Sequence, residues 1–309
     1  MSFSSDTKKE LCRTEINSRE EMTSECYGML LYCKRFGADN IVFSTENAFA
    51  ANRFCELMSA GFGVITEKTS VLTERHGGGS IFTVSLPVKS ECERVFKYFG
   101  YVGNEISRRI NNAMLEDDVS VSAFLRGAFI SCGSVNNPEK DYHLEFAVPY
   151  RNLCRDLVKL ISSVDRLMYT LKIVERKGIY VAYLKDSEQI SDLLAFMNAP
   201  IASMNIIETK IIKEIRNNTN RKINSEVANM KKTITASMKQ IKAIEKIRDC
   251  AGLESLSSEL RDVAVMRLEN PDMSLRDIGK NLNPPISRSG VNHRLQKLME
   301  LAEDCSKQK

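Results

Sequence analysis

The chain has 309 residues, 43% hydrophobic and 27% charged, with 7 prolines and 15 glycines. That size and balance point to about two folded, helix-rich globular units and exclude collagen-like, mucin-like and long disordered arrays. Its net charge of +4 is lopsided, with +7 on residues 210–309 and −3 on residues 1–209, which puts a nucleic-acid-facing surface in the C-terminal third.

Nine cysteines occur singly, without a C-x-x-C pair, and only three histidines accompany them, so no zinc framework is expected. The polar start of the chain and the absence of any run near 18 apolar residues make a cytosolic protein with reduced thiols and no membrane span the expectation.

Residues 18–36 carry apolar or small side chains at Met22, Cys26, Met29, Leu30 and Cys33, the spacing of a helix. A strand is predicted at 41–43 and a helix at 47–60. Two alternating runs, 63–73 and 80–86, form a hairpin around Gly77, Gly78 and Gly79, and a helix follows at 89–99. The order then repeats: helix 121–131, strand 142–148, helix 150–162, a hairpin of 170–175 and 179–184 around Lys177 and Gly178, and helix 187–197. We infer two α/β half-domains related by duplication, at about 18–100 and 119–198 within a unit spanning 1–209.

Gly28 and Cys33 in the first leading helix align with Gly127 and Cys132 in the second at a constant offset of 99. A glycine inside a helix costs about 1 kcal/mol relative to alanine and marks close backbone approach, so the two helices are expected to cross at a pseudo-twofold. Two unrelated buried helices with chance glycines are the alternative.

Residues 210–248 hold 11 basic residues against Glu214, Glu226 and Glu245, with no proline or glycine. This predicts a basic helical linker over 210–250, with a break or cap at 217–220. Val227, Met230, Ile234, Met238, Ile241 and Ile244 recur at three and four, so one face should pack. The other face would carry Arg221, Lys222, Lys231, Lys232 and Lys239 against a DNA backbone, displacing counterions. A solvated linker between domains is the competing interpretation.

Residues 251–309 read as a separate all-α domain. A helix at 255–268 is stopped by Asn270 and Pro271, and Ser274 caps a helix at 275–282 that ends at Asn283, Pro284 and Pro285. Ser287 or Ser289 caps a last helix with Val291, Leu295, Leu298 and Ala302 on its buried stripe. Opposite that stripe lie Ser289, His293, Gln296 and Lys297, with Arg288, Asn292 and Arg294 at its start or flanks and Arg276 and Lys280 on the preceding helix. This is the layout of a helix-turn-helix, whose second helix turns its N-terminal residues toward base edges in the major groove. Asparagine and glutamine can read adenine and arginine guanine, while lysine and serine more often hold phosphates. A plain three-helix protein-interaction module is the alternative. His76 and His143 have no partner nucleophile at interpretable spacing, and Gly77, Gly78 and Gly79 precede a strand rather than the helix a phosphate loop requires.

The segment Ala123-Phe-Leu-Arg-Gly-Ala-Phe-Ile-Ser-Cys-Gly-Ser-Val135 resembles the LAGLIDADG helix of homing endonucleases. In that family paired helices form the domain interface and deliver acidic residues to metal ions, the acid standing five residues after the helix glycine. Cys33 and Cys132 stand there in this chain, and a thiol does not suit a hard Mg²⁺ ion. The resemblance therefore implies an inactive endonuclease-like lobe with no cofactor and no metal. Over nearly its whole length the chain is also similar to the WhiA family of bacterial sporulation regulators. The likeness is carried by Met1-Ser-Phe-Ser-Ser5, Phe124-Leu-Arg-Gly-Ala128 through Gly133-Ser-Val-Asn-Asn-Pro-Glu-Lys140, Tyr142-His-Leu-Glu-Phe146, Tyr183-Leu-Lys-Asp-Ser-Glu188 and Ser287-Arg-Ser-Gly-Val-Asn-His-Arg294. Positions Asn220, Arg221, Asn224, Glu226, Ala228 and Asn229 of the basic helix match as well.

The fold expected is α+β, a duplicated LAGLIDADG-like lobe followed by a helix-turn-helix domain. The function this resemblance implies is a non-enzymatic regulator of transcription that binds double-stranded DNA at the nucleoid, tied to sporulation or to cell division and chromosome segregation. Two rivals remain open at this point. One is an interaction scaffold on the nucleoid that binds another transcription regulator or RNA polymerase; the other is a residual homing-type nuclease, which needs carboxylates at 33 and 132 and a basic saddle.

Overall fold

The computed structural model describes residues 2–73, 79–103, 108–167 and 169–305. The chain divides into two compact units, Met1–Lys213 and Glu214–Lys309. His76, Gly77 and Gly78 lie outside the described residues.

The first unit runs α1 (Phe3–Leu11), α2 (Arg19–Leu31), β1 (Arg35–Phe36), β2 (Ile41–Thr45), α3 (Ala48–Phe62), β3 (Glu67–Thr73), β4 (Gly79–Ser85) and α4 (Lys89–Tyr98). Then come α5 (Asp118–Cys132), β5 (Gly133–Val135), β6 (Leu144–Val148), α6 (Arg151–Ser162), β7 (Lys172–Arg176), β8 (Ile179–Leu184) and α7 (Ser187–Phe196). The strands form two antiparallel sheets of identical order, β1-β2-β4-β3 and β5-β6-β8-β7, as the repeated element order predicts. Local signals place the boundaries. Asn47 caps α3 by accepting from the Phe49 and Ala50 amides, and Gly63 ends it in a left-handed conformation at φ 64°. Lys177 and Gly178 both take positive φ, the two-residue turn whose twist suits a tight hairpin.

At the centre, α2 and α5 are buried on nearly every face, which is why neither shows a clean amphipathic stripe in the sequence. Their glycines meet reciprocally. A Cβ on Gly28 would lie 2.1 Å from the Phe124 carbonyl oxygen, and one on Gly127 would lie 2.1 Å from that of Glu25. Phe124 and Glu25 are themselves 99 residues apart, so the pseudo-twofold crossing expected from the glycines is what the backbones make.

Helix α1 was not anticipated from the sequence. Ser2 caps it, its Leu11 is fully buried, and the Asn47 side chain donates to the Ser5 carbonyl at 3.1 Å. The helix is mostly polar, and its order comes from docking rather than from its own pattern.

Helix α8 (Pro200–Ala251) begins in the first unit, where the Glu10 carboxylate accepts from the Ile201 and Ala202 amides at 2.6 and 3.0 Å and so caps it. It continues without interruption through 217–220, where the sequence suggested a break. Each asparagine there costs only a fraction of a kcal/mol, whereas ending a helix orphans four carbonyls and restarting it orphans four amides. The expected packed face is also only partly present. Val227, Met230, Ile234 and Met238 are exposed, while Ile244 and Ile247 are buried, because the second unit's core reaches the helix only over its last turns.

That core joins Ile244 and Ile247 to Leu260, Val263, Ala264, Ile278, Val291, Leu295 and Leu298. The last four of these core positions, with Leu260, Val263 and Ala264, come from α9 (Ser258–Glu269), α10 (Leu275–Asn281) and α11 (Arg288–Asp304).

Candidate nucleic-acid interface

Two places answer to the chemistry expected from the sequence, one in each unit. In the first, Cys33 follows the end of α2 and Cys132 is the last residue of α5. Cys33 donates its thiol proton to the Arg35 carbonyl at 2.9 Å. Burial pushes both thiols up to about 12, so they stay protonated and are poor metal ligands. No group of three or more metal-ligating side chains occurs among the described residues, and the donors at these positions do not fit the divalent cation of a nuclease.

The outer face of the first sheet offers little to a phosphate backbone. Strand register puts Val42, Ser44, Thr83, Ser85 and Thr69 on the outer face of the first sheet, with Arg35 at one edge and Glu67 at the other. On the second sheet, Glu145 takes up both His143 at 2.9 Å and Arg176 at 3.5 Å. His143 is thus a structural partner of Glu145.

In the second unit, Gly279 lets α10 pass against the chain entering α11. Its Cβ would lie 2.4 Å from the Ile286 carbonyl oxygen, and the Ile286 amide donates to the Gly279 carbonyl at 2.9 Å. Ser274 caps α10 and Ser287 caps α11, and Ser289 shares a 2.8 Å hydroxyl contact with Ser287. These two serines therefore set the start of α11. Burial of Val291, Leu295, Leu298 and Ala302 orients α11, leaving Arg288, Ser289, Asn292, His293, Gln296 and Lys297 exposed, as are Arg276 and Lys280 on α10. Lys280 lies 3.8 Å from Asp277. Arg294 is different: its guanidinium pairs with the Glu259 carboxylate at 3.0 Å, tying α11 to α9. The second half of α11 carries Glu300, Glu303 and Asp304, so only its first half suits a phosphate backbone.

Of the α8 cations, Arg221, Lys222, Lys231, Lys232 and Lys239 are all exposed, but only Lys232 lines the same cavity as Arg276, Arg288 and Asn292. Two further members of that cavity were not singled out from the sequence, Gln240 and Arg267. Arg267 falls at the end of the Leu260, Val263, Ala264 stripe, so a cation at an apolar-period position was the available signal.

Residues 121–216 match the model of the WhiA LAGLIDADG-like domain and residues 219–302 that of the WhiA C-terminal HTH domain. A curated relative from Clostridium botulinum, "Probable cell division protein WhiA", is 36% identical over 316 residues, covering 98% of both chains. The chain belongs to the WhiA family. A WhiA of the same description from Thermoanaerobacter pseudethanolicus is 38% identical, again over 98% of both chains. The crystal structure of full-length DUF199/WhiA from Thermatoga maritima aligns with a TM-score of 0.59 at 27% identity, covering 98% of this chain and 99% of that one. The WhiA architecture of an endonuclease-like unit and a helix-turn-helix is therefore the architecture found here. Among the described residues, no helix is long and apolar enough to cross a membrane.

Proposed function

We propose that this protein is a DNA-binding regulator of transcription without nuclease activity, acting at the chromosome in a bacterial cytoplasm, with roles in cell division, sporulation and chromosome segregation. The observation that carries it is the exposed polar and basic first half of α11, flanked by Arg276 of α10, in a segment matched by the WhiA helix-turn-helix model. The cell-division role is supported by the description given to the relatives. The absence of nuclease activity is supported by the protonated thiols at 33 and 132.

In this account Arg288, Asn292, His293 and Gln296 face base edges, while Ser287, Ser289, Arg276, Lys280 and Lys297 hold the backbone. Arg294 positions α11 through Glu259. The α8 lysines add phosphate contacts.

The test is a salt titration of duplex binding by the full chain, read by fluorescence anisotropy, with the same samples incubated with Mg²⁺ and inspected for cleavage. Steeply salt-dependent binding without cleavage is expected. Cleavage, or binding indifferent to salt, would overturn the proposal.

A further inference from the structure

A cavity of about 430 Å³ opens in the second unit between α8, α9, the start of α10 and the first turns of α11. Four cationic side chains line it, Lys232, Arg267, Arg276 and Arg288, together with Gln240 and Asn292, and no carboxylate does. Arg267 is 3% exposed. Its Nη1 donates to the Met273 carbonyl at 2.7 Å and the Pro271 carbonyl at 3.3 Å, its Nε has no partner, and among the described residues no ion pair neutralises it. Gln240, 7% exposed, leaves its Oε1 without a partner on the same cavity.

We propose that this cavity is a binding site for a phosphate ester, with Arg267 as its innermost cation and Lys232 and Arg276 around it. Buried arginines are almost always paired with an anion, because an uncompensated charge away from water is costly. Burial already depresses the Arg267 pKa, the direction expected of a cation whose counter-charge is missing. The two carbonyls that hold Nη1 fix the guanidinium in place, so the free Nε–H is a fixed donor. A half-turn of the Gln240 amide puts its NH₂ group where the unpartnered Oε1 stands, a second donor on the cavity. A bridging water would satisfy both polar atoms but would leave the charge unanswered. The volume falls within the range of about 300–1,000 Å³ seen for small-molecule sites, which accommodates a phosphate together with the sugar that carries it.

Two sources share this chemistry, a phosphodiester of the DNA backbone and a free nucleoside phosphate. The first deepens the regulator proposal and rests on it; the second does not. The experiment titrates the full-length protein with adenosine 5′-monophosphate and with inorganic phosphate at constant ionic strength, by calorimetry. It compares wild type with Arg267→Gln and Ala236→Phe. Ala236 is an exposed α8 position on the cavity wall, so its substitution fills the space without removing a charge and without touching the core. Saturable binding is expected, weakened about tenfold or more in both variants. Ala236→Phe carries the result alone if Arg267→Gln does not fold.

Duplex titrations of the same proteins identify the source. Competition between the nucleotide and the duplex, with a salt slope reduced by about one in Arg267→Gln, assigns the site to a backbone phosphate. Nucleotide binding that leaves the duplex in place assigns it to a free ester. Nucleotide binding with no duplex binding at all would end the regulator proposal and leave the cavity assignment standing. Absence of saturable nucleotide and phosphate binding, or binding undiminished by Ala236→Phe, overturns the cavity assignment whatever the duplex does.

Discussion

Arg126 sits fully buried in α5 and reaches back across the helix crossing. Its Nε donates to Glu25 at 2.8 Å and its Nη2 to Glu21 at 2.9 Å, while Arg53 holds Glu25 from the other side at 2.7 Å. Two carboxylates and two guanidiniums balance, so the network is neutral as a whole and intolerant of losing one member. Arg126→Met should cost about 3–5 kcal/mol in a chemical denaturation experiment, because Glu21 is left buried without its partner. A loss below about 1 kcal/mol would mean that water or rearrangement replaces the arginine. Gly28→Ala or Gly127→Ala should cost at least about 1–3 kcal/mol by the same measurement, since each new methyl meets backbone rather than a movable side chain. The thiols of Cys33 and Cys132 add a pH dependence. Their folded pKa values are raised, so the unfolded chain loses these protons first. The stability they contribute is fully present below the ordinary thiol pKa of 9.0 and is lost as pH climbs toward about 12. The loss approaches about 1.4 kcal/mol per pH unit for each thiol, measurable as a falling melting temperature above pH 9 that is blunted in a Cys33→Ala, Cys132→Ala double variant.

Helices α8 and α11 divide the expected DNA contacts by type. Arg288→Ala should weaken duplex binding by about 1–3 kcal/mol if it meets a base edge and by less if it meets phosphate. Arg294→Ala should act mainly on stability, through the lost Glu259 pair; equal losses of affinity in the two variants would contradict the division of roles drawn from the geometry. Replacing Lys231 and Lys232 together should lower the salt slope by up to about two without changing sequence preference, because each neutralised phosphate contributes about 0.9. The helix boundaries of the second unit were largely legible in the sequence. The caps at Ser274 and Ser287, the stops at proline and the three- and four-residue spacing of Val291, Leu295 and Leu298 are all local signals. The interruption expected in α8 and its packed face failed for a non-local reason. What α8 packs against is decided by where α9 to α11 close their core, and that core takes in only the end of the helix.

At the scale of the molecule, the two units have separate buried clusters, one spanning Leu11 to Ile206 and the other Ile244 to Ala302. Calorimetry of the full chain should therefore resolve two transitions, with Arg126→Met lowering one and leaving the other in place. A single transition displaced as a whole would show that the continuous α8 couples the units energetically.

Chain length, the element repeat and the offset of 99 between its glycine helices determined the duplicated lobe. The proline and serine punctuation determined the helix-turn-helix. The missing carboxylates at 33 and 132 are facts of sequence alone, and so is the basic C-terminal third. Those features are local or periodic, and a one-dimensional pattern is enough to carry them. Only the tertiary structure decided that α1 docks, that Glu21, Glu25, Arg53 and Arg126 form one network, that Arg294 is held by Glu259, and that Arg267 and Gln240 face the same cavity as Lys232. Each of those facts joins residues far apart in the chain. Burial is what gives a polar side chain its consequence there, and burial is a property of the packed whole.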